Sequence, residues 1–425
     1  MAGEITVSIG SAPGIVGREF YGLDGASPNY GDDSHRTMAG AEGYSARFAV
    51  AEPSTVRIAF ALLAALLSLA VQAAPSTQVS LDRSLWPEKL DSPALFDVAS
   101  RAEILSFAQV LHESELLDDA ALAARLGLRQ VNLQKVRLVR ARMWQRLWEG
   151  YQQAQRSCEQ DASFCYPVTS MAELRTQAAT FAADVGTFYT SWIEPSHQFH
   201  VRYLDEQLRK AALLPQTSSE VERLSSRERN GDELNDRMFL LTFVGGPGPD
   251  GGSTDLLADY LRRQKLEGTF FVLGNRLQQR RDAGAADALR QLYRGHCVGI
   301  QGWEYRSHAQ WTDWQDSLRR SQARVQADLP EQYVPLFRPP YGQRRADGEA
   351  FMASQQLQVS LWDIDAQDDG ALSAEASAQR VLTLMLLWRK GVIQFHDSLP
   401  RAQPAVEWLL RNTAQSGIGW EDCQG

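Results

Sequence analysis

His396, in the run Phe395-His396-Asp397, is the side chain of this 425-residue sequence best suited to passing a proton or a hydrogen bond to a bound molecule. Asp363, Asp365 and Asp368 form an acidic run, and Arg338 stands in Phe337-Arg338-Pro339-Pro340-Tyr341-Gly342. Arginine and aspartates of this kind either serve acid–base chemistry or form ion pairs that orient loops. Activating water needs a titratable base within hydrogen-bond reach, and Thr242-Phe243-Val244-Gly245-Gly246-Pro247 supplies none: Val244 does not titrate and Gly245 has no side chain. Trp303, Tyr305, Trp311, Trp314, Tyr341 and Trp362 offer flat amphipathic rings, suited to stacking on the apolar faces of sugars or to packing in a core, the latter above all for Trp362. His296, Glu304, His308, Asp250 and Asp255 are metal-ligating residue types, each with a plainer reading as a turn, helix-start or loop polar group. His197 and His200, one helical turn apart, are either a metal pair or a solvated or capping pair.

These residues need elements to position them. Residues 237–243 read as a buried strand ended by the glycine and proline loop 245–252, followed by a helix over 254–266 and a second apolar strand at 268–274. A helix over 285–293 leads to Gly295-His296-Cys297-Val298-Gly299, and the segments 337–342, 361–368 and 391–397 continue the alternation.

That ordered series resembles the NodB-homology polysaccharide deacetylases of carbohydrate esterase family 4 over residues 236–420. The resemblance implies an α/β fold, a distorted (β/α) barrel with its site at the C-terminal ends of the strands, preceded by a separate α-helical domain. In the family motif Thr-Phe-Asp-Asp-Gly-Pro the first aspartate is the general base and the second a metal ligand; Val244 and Gly245 hold these positions. The two histidines of the His-[Ser/Thr]-x-x-His motif are replaced by Gln301 and Tyr305. Gln is a poor zinc ligand, and a tyrosine stays protonated at neutral pH. The resemblance further implies that Arg338 orients the catalytic carboxylate, that Asp363 and Asp365 lie in the family's Asp-x-Asp-x-x-Asp run, and that His396 is the general acid. Asp369 stands where the family has tryptophan. The family would imply a divalent metal such as zinc; with base and ligands substituted, the expectation here is no cofactor and a pseudoenzyme.

Residues 56–73 read as a signal peptide, Arg57 ahead of an Ala and Leu run and Val71-Gln72-Ala73 as cleavage site. Residues 1–55 read as a non-native or disordered extension, with the true start at Val56. Export suits the cysteines: Cys158 with Cys165, and Cys297 with Cys423, are open to disulfide pairing that spacing alone does not assign. Residues 81–234 read as a helical domain broken by Gly127, Pro167 and Pro195, and 223–236 as a charged linker. From Ala74 onward 39 basic groups face 45 acidic ones, a net charge of minus 6, which argues against nucleic acid and other polyanions held by bulk charge. The reading is an exported protein of the periplasm or cell surface, with no membrane span after signal cleavage. It binds an N-acetylated or amino-sugar polymer without hydrolysing it, with Tyr341, Trp303, Trp311 and Trp314 as the sugar contacts. One alternative is an active hydrolase of non-peptide carbon–nitrogen bonds with metal ligands relocated to Asp250, His308 and His396. The other is an envelope scaffold whose helical domain engages another envelope protein.

Overall fold

A computed structural model describes residues 79–424 apart from 182–184 and 285; the signal peptide and the extension before it lie outside these residues. The first half is helical. Its helices are α1 (Pro93–Glu115), α2 (Asp119–Leu126), α3 (Leu133–Ala154), α4 (Met171–Ala178) and α5 (Thr190–Ala212). Ser92 caps α1 by accepting from the Leu95 N–H, with Pro93 in the first turn where its missing N–H costs nothing. Gly127, at φ +63°, ends α2 as expected. Pro195 does not break its helix: it lies near the start of α5, where only one backbone bond is lost.

From residue 238 strands and helices alternate: β1 (Met238–Val244), α6 (Ser253–Arg263), β2 (Thr269–Val272), α7 (Gly274–Ala283), α8 (Ala286–Leu292) and β3 (Cys297–Ile300). Then come α9 (Trp314–Asp328), β4 (Tyr333–Phe337), α10 (Glu349–Ser354), β5 (Gln358–Val359), β6 (Ile364–Asp365), α11 (Ala374–Trp388), β7 (Gly391–His396), α12 (Ala402–Thr413) and β8 (Gly419–Trp420). The strands form one parallel sheet in the order β5-β4-β3-β2-β1-β7-β6, curled into a half-barrel. β8 pairs with Met238 and Phe239 at the start of β1, below the point where β2 begins to pair at Thr242. Register sets Val244 beside His396 and Ile300 beside Phe337, so the residues that follow these strands share one mouth.

α1 is buried on nearly every side, from Phe96 to Ser114, as a helix at the centre of a layer must be. One hydrophobic cluster runs from its Phe107 through Leu386 of α11 to Phe243 and Phe395 of the barrel. Periodicity had predicted the helices; it held no sign that they share a core with the strands. Both cysteine pairs form disulfides, Cys158–Cys165 and Cys297–Cys423. No helix among the described residues is long and apolar enough to cross a membrane.

Candidate functional site

β1 delivers Val244 to the barrel mouth in an apolar setting: it is 1% exposed and packs with Phe271 and Leu336. Gly245 follows at φ +92°, a backbone conformation that L side chains rarely adopt. Gln301, just past β3, is buried and turns its Oε1 to accept from the Gly245 N–H at 2.9 Å. Two of the three substituted ligand positions are thus bonded to each other. At Gly246 an added Cβ would lie 1.9 Å from Asp397 Oδ2, so only glycine fits. Asp397 also accepts from Thr254 Oγ1 at 2.9 Å, and burial pushes its carboxyl up to about 7.

Across the mouth, His396 Nδ1 lies 2.8 Å from Asp368 Oδ1, and the His396 backbone N–H donates to the same carboxylate at 3.0 Å. Burial disfavours the charged ring, but the bond and charge of Asp368, with Asp369 and Asp365, outweigh it and raise the pKa to about 9. The ring is therefore an imidazolium at neutral pH. Asp368 is the acid that the sequence reading named only as part of a run; its place just beyond the end of β6, three residues after Asp365, is the signal that would have found it.

Arg338 is fully buried, but not by ion pairing. It donates to the Ser360 and Leu361 carbonyls at 3.1 and 3.0 Å and lies 4.2 Å over the Phe271 ring; burial brings its pKa down to about 9. The carboxylate it was expected to orient has no counterpart, since Val244 stands there. Asp363 is not at the mouth, and Asp365 reaches it only through its charge, which acts on His396 and Tyr305. Asp363 bonds the backbone at Val392, near the start of β7, and pairs with Arg146 of α3 at 3.0 Å; Asp365 aligns with Gln394 in mid-strand. Both line a cavity whose other wall is made by the helices.

Of the expected sugar-stacking set, Trp311 and Trp314 turn inward, Trp303 is partly covered and Tyr341 stays exposed. Trp311 and Trp314 are each 8% exposed, the first against His308 and the second against Phe351. Trp303 is half-buried with Arg320 3.8 Å over its ring. The rings that do reach solvent are Tyr305 and Tyr341, 42% and 51% exposed, meeting edge to face at 4.7 Å. Partial burial, then Tyr341 and the charges of Asp369 and Asp365, raise the Tyr305 phenol above its ordinary value, so it offers no phenolate. A groove of about 630 Å³ is lined by the 247–250 loop, Arg276, Arg280, Ser398 and Leu399, and neither tyrosine borders it.

The residues proposed for a relocated metal site are dispersed. Asp250 and Asp255 both bind Arg280 at 2.6 Å. His308 is buried against Phe337, bonded to Ser317 Oγ, its pKa lowered by burial to about 4. His296, lowered likewise to about 4, pairs with the Ala258 carbonyl, and Glu304 is exposed. His197 pairs with Glu113; His200 is not solvated but fully buried on Glu103. Among the described residues, the only group of three His, Cys, Asp or Glu side chains close enough to share an ion is Glu267 with Cys297 and Cys423, whose sulfurs are spent in a disulfide. An apolar side chain, a glycine, an amide bonded to backbone and a protonated phenol do not fit a divalent metal.

A family model described as polysaccharide deacetylase matches residues 231–360. Among curated relatives, the chain is 27% identical over 220 residues to the peptidoglycan-N-acetylmuramic acid deacetylase PdaC of Bacillus subtilis (strain 168), covering 51% of this chain and 44% of the relative. It is 29% identical over 183 residues to a bifunctional xylanase/xylan deacetylase of Cellvibrio japonicus, covering 42% and 26%. The chain thus spans less than half the length of either. Among solved structures it is similar to BA3943, a CE4 family pseudoenzyme from Bacillus anthracis, at 17% identity and TM-score 0.40, covering 46% of this chain and 66% of that one.

Proposed function

The chain belongs, through its C-terminal barrel, to the polysaccharide deacetylase family, and on that premise we propose that it binds an N-acetylated or amino-sugar polymer of the cell envelope without hydrolysing it. One observation carries the reading: where the family places its base and two ligands, Val244 lies in an apolar cluster and Gln301 is bonded to the Gly245 backbone. Without a base, water is not activated, and His396 as imidazolium donates a hydrogen bond but accepts no proton. Tyr305 and Tyr341 provide the sugar platform, their apolar faces toward ring carbons. Export to the periplasm or cell surface, with residues 81–234 as a helical domain, completes the proposal; the disulfides support it.

The test uses the full chain with N-acetylglucosamine oligomers, reading binding by titration and acetate release with and without added zinc. The expected outcome is saturable binding, weakened about tenfold by Tyr305→Ala or Tyr341→Ala, with no release above background. Chelator-sensitive release would overturn the loss of hydrolysis; absence of binding would overturn the glycan role.

A further inference from the structure

Where the helices meet the open edge of the barrel, α3, α5 and α11 close over residues 362–365 around a cavity of about 60 Å³. This is room for a few waters or one small polyatomic ion. Arg142 and Arg146, one turn apart on α3, reach it from the helices, and Trp362 and Asp363 from the barrel.

Cations outnumber carboxylates on its walls, Arg142, Arg146, Lys210 and Arg380 against Glu220, Asp363 and Asp365. Arg146 uses Nη1 on Asp363 Oδ1, while its buried Nη2 meets no acceptor. Arg142 has no carboxylate within 4 Å among the described residues, and its guanidinium bonds the Val221 carbonyl at 3.1 Å. Trp362 is 7% exposed, and its indole N–H, a donor with no other use, is also without an acceptor. Lys210, on the same wall, is already paired with Glu206 and Glu220. Arg380 is likewise taken, by Glu206 and the Asp365 carbonyl, which leaves Arg142 and Arg146. Burial lowers the pKa of Arg142, and the like charges of Arg146 and Arg223 add to this against the pull of Asp232 and Asp363. An indole N–H beside two planar guanidinium forks is a donor set that matches the oxygens of a carboxylate or phosphate.

We infer that this cavity binds a small oxyanion, a carboxylate or phosphate, through Arg142, Arg146 and the indole N–H of Trp362. The site lies at the junction of helices and barrel, apart from the mouth, and stands independently of the glycan reading. A bound ion ties α3 to the segment between β5 and β6, so it stabilises the folded chain by linkage.

Thermal unfolding of the full chain in sodium phosphate, sodium acetate and sodium chloride at equal ionic strength tests this. The expected result is a rise of several degrees in phosphate or acetate over chloride, the better of the two naming the source. Trp362→Phe keeps an aromatic ring and removes the donor; Arg142→Gln removes one fork, and serves if the first variant does not fold. Each should weaken the ion's dissociation constant at least tenfold in titration. No rise in either oxyanion, or an equal rise in the variants, overturns the site.

Discussion

His396 is the charge that the barrel mouth holds most firmly, and its setting makes a pH prediction. With a folded-state pKa near 9 against ~6.5 unfolded, its contribution to stability is complete below pH ~6.5 and lost as pH rises through 9. The loss is at most ~3 kcal/mol on the scale of 1.36 kcal/mol per pKa unit. Asp397, held up to about 7 by burial, acts in the same direction between pH ~4 and 7. His296 and His308, neutral and lowered to about 4, act oppositely: their contribution is lost as pH falls from ~6.5 to 4. Stability should therefore decline steadily from pH 7 to 9, and Asp368→Asn should flatten that decline. Denaturant unfolding of both proteins across this range decides it; parallel curves would show that Asp368 does not hold the proton on His396. The acid that sets this charge was legible as a residue type and not as a partner, because the approach of residue 368 to 396 depends on how β6 lies beside β7.

The loop leaving β1 is specified by the space beneath it as much as by its own residues. Gly246→Ala drives a methyl into the Asp397 carboxylate and should cost about 2 to 4 kcal/mol, since nothing there yields without breaking the bond to Thr254. Gly251→Ala, with open space but φ +67°, should cost only about 1 kcal/mol. Equal losses for the two in chemical denaturation would mean that the loop moves away and that the Asp397 contact is not specific. The same reasoning applies at Gly245: an aspartate there meets adequate room, Ser398 Oγ at 3.4 Å, but a left-handed backbone. Restoring both aspartates at 244 and 245 should therefore not suffice to bind zinc while Gln301 and Tyr305 remain, as metal content after dialysis would reveal.

Long-range ties hold the chain together. Cys297–Cys423 joins the start of β3 to the last described residues across 126 positions, whereas Cys158–Cys165 closes a span of 7. Loop-closure entropy predicts contributions of about 5 and about 2 kcal/mol respectively. Replacing the pairs separately with serine should lower the unfolding temperature in that order; a larger drop on losing the short bridge would show that local packing outweighs chain entropy. α1 is the other tie, its faces shared among α3, α5 and α11. Calorimetry should accordingly find one cooperative transition for the helices and barrel together.

The alternation of strands and helices from β1 to β3, the order of the later motif segments, the substitutions at 244, 245, 301 and 305, and the presence of a helical region were determined by the sequence, because alternation, turn residues and motif order act over short spans. Tertiary structure decided which polar groups meet. Arg146 reaches Asp363 from 217 positions away, Trp311 and Trp314 turn inward while Tyr305 and Tyr341 face out, and Gln301 closes on the Gly245 backbone. Each of these depends on the curl of the sheet and on the helical layer packed across it, and contacts between segments so far apart leave no local pattern to read.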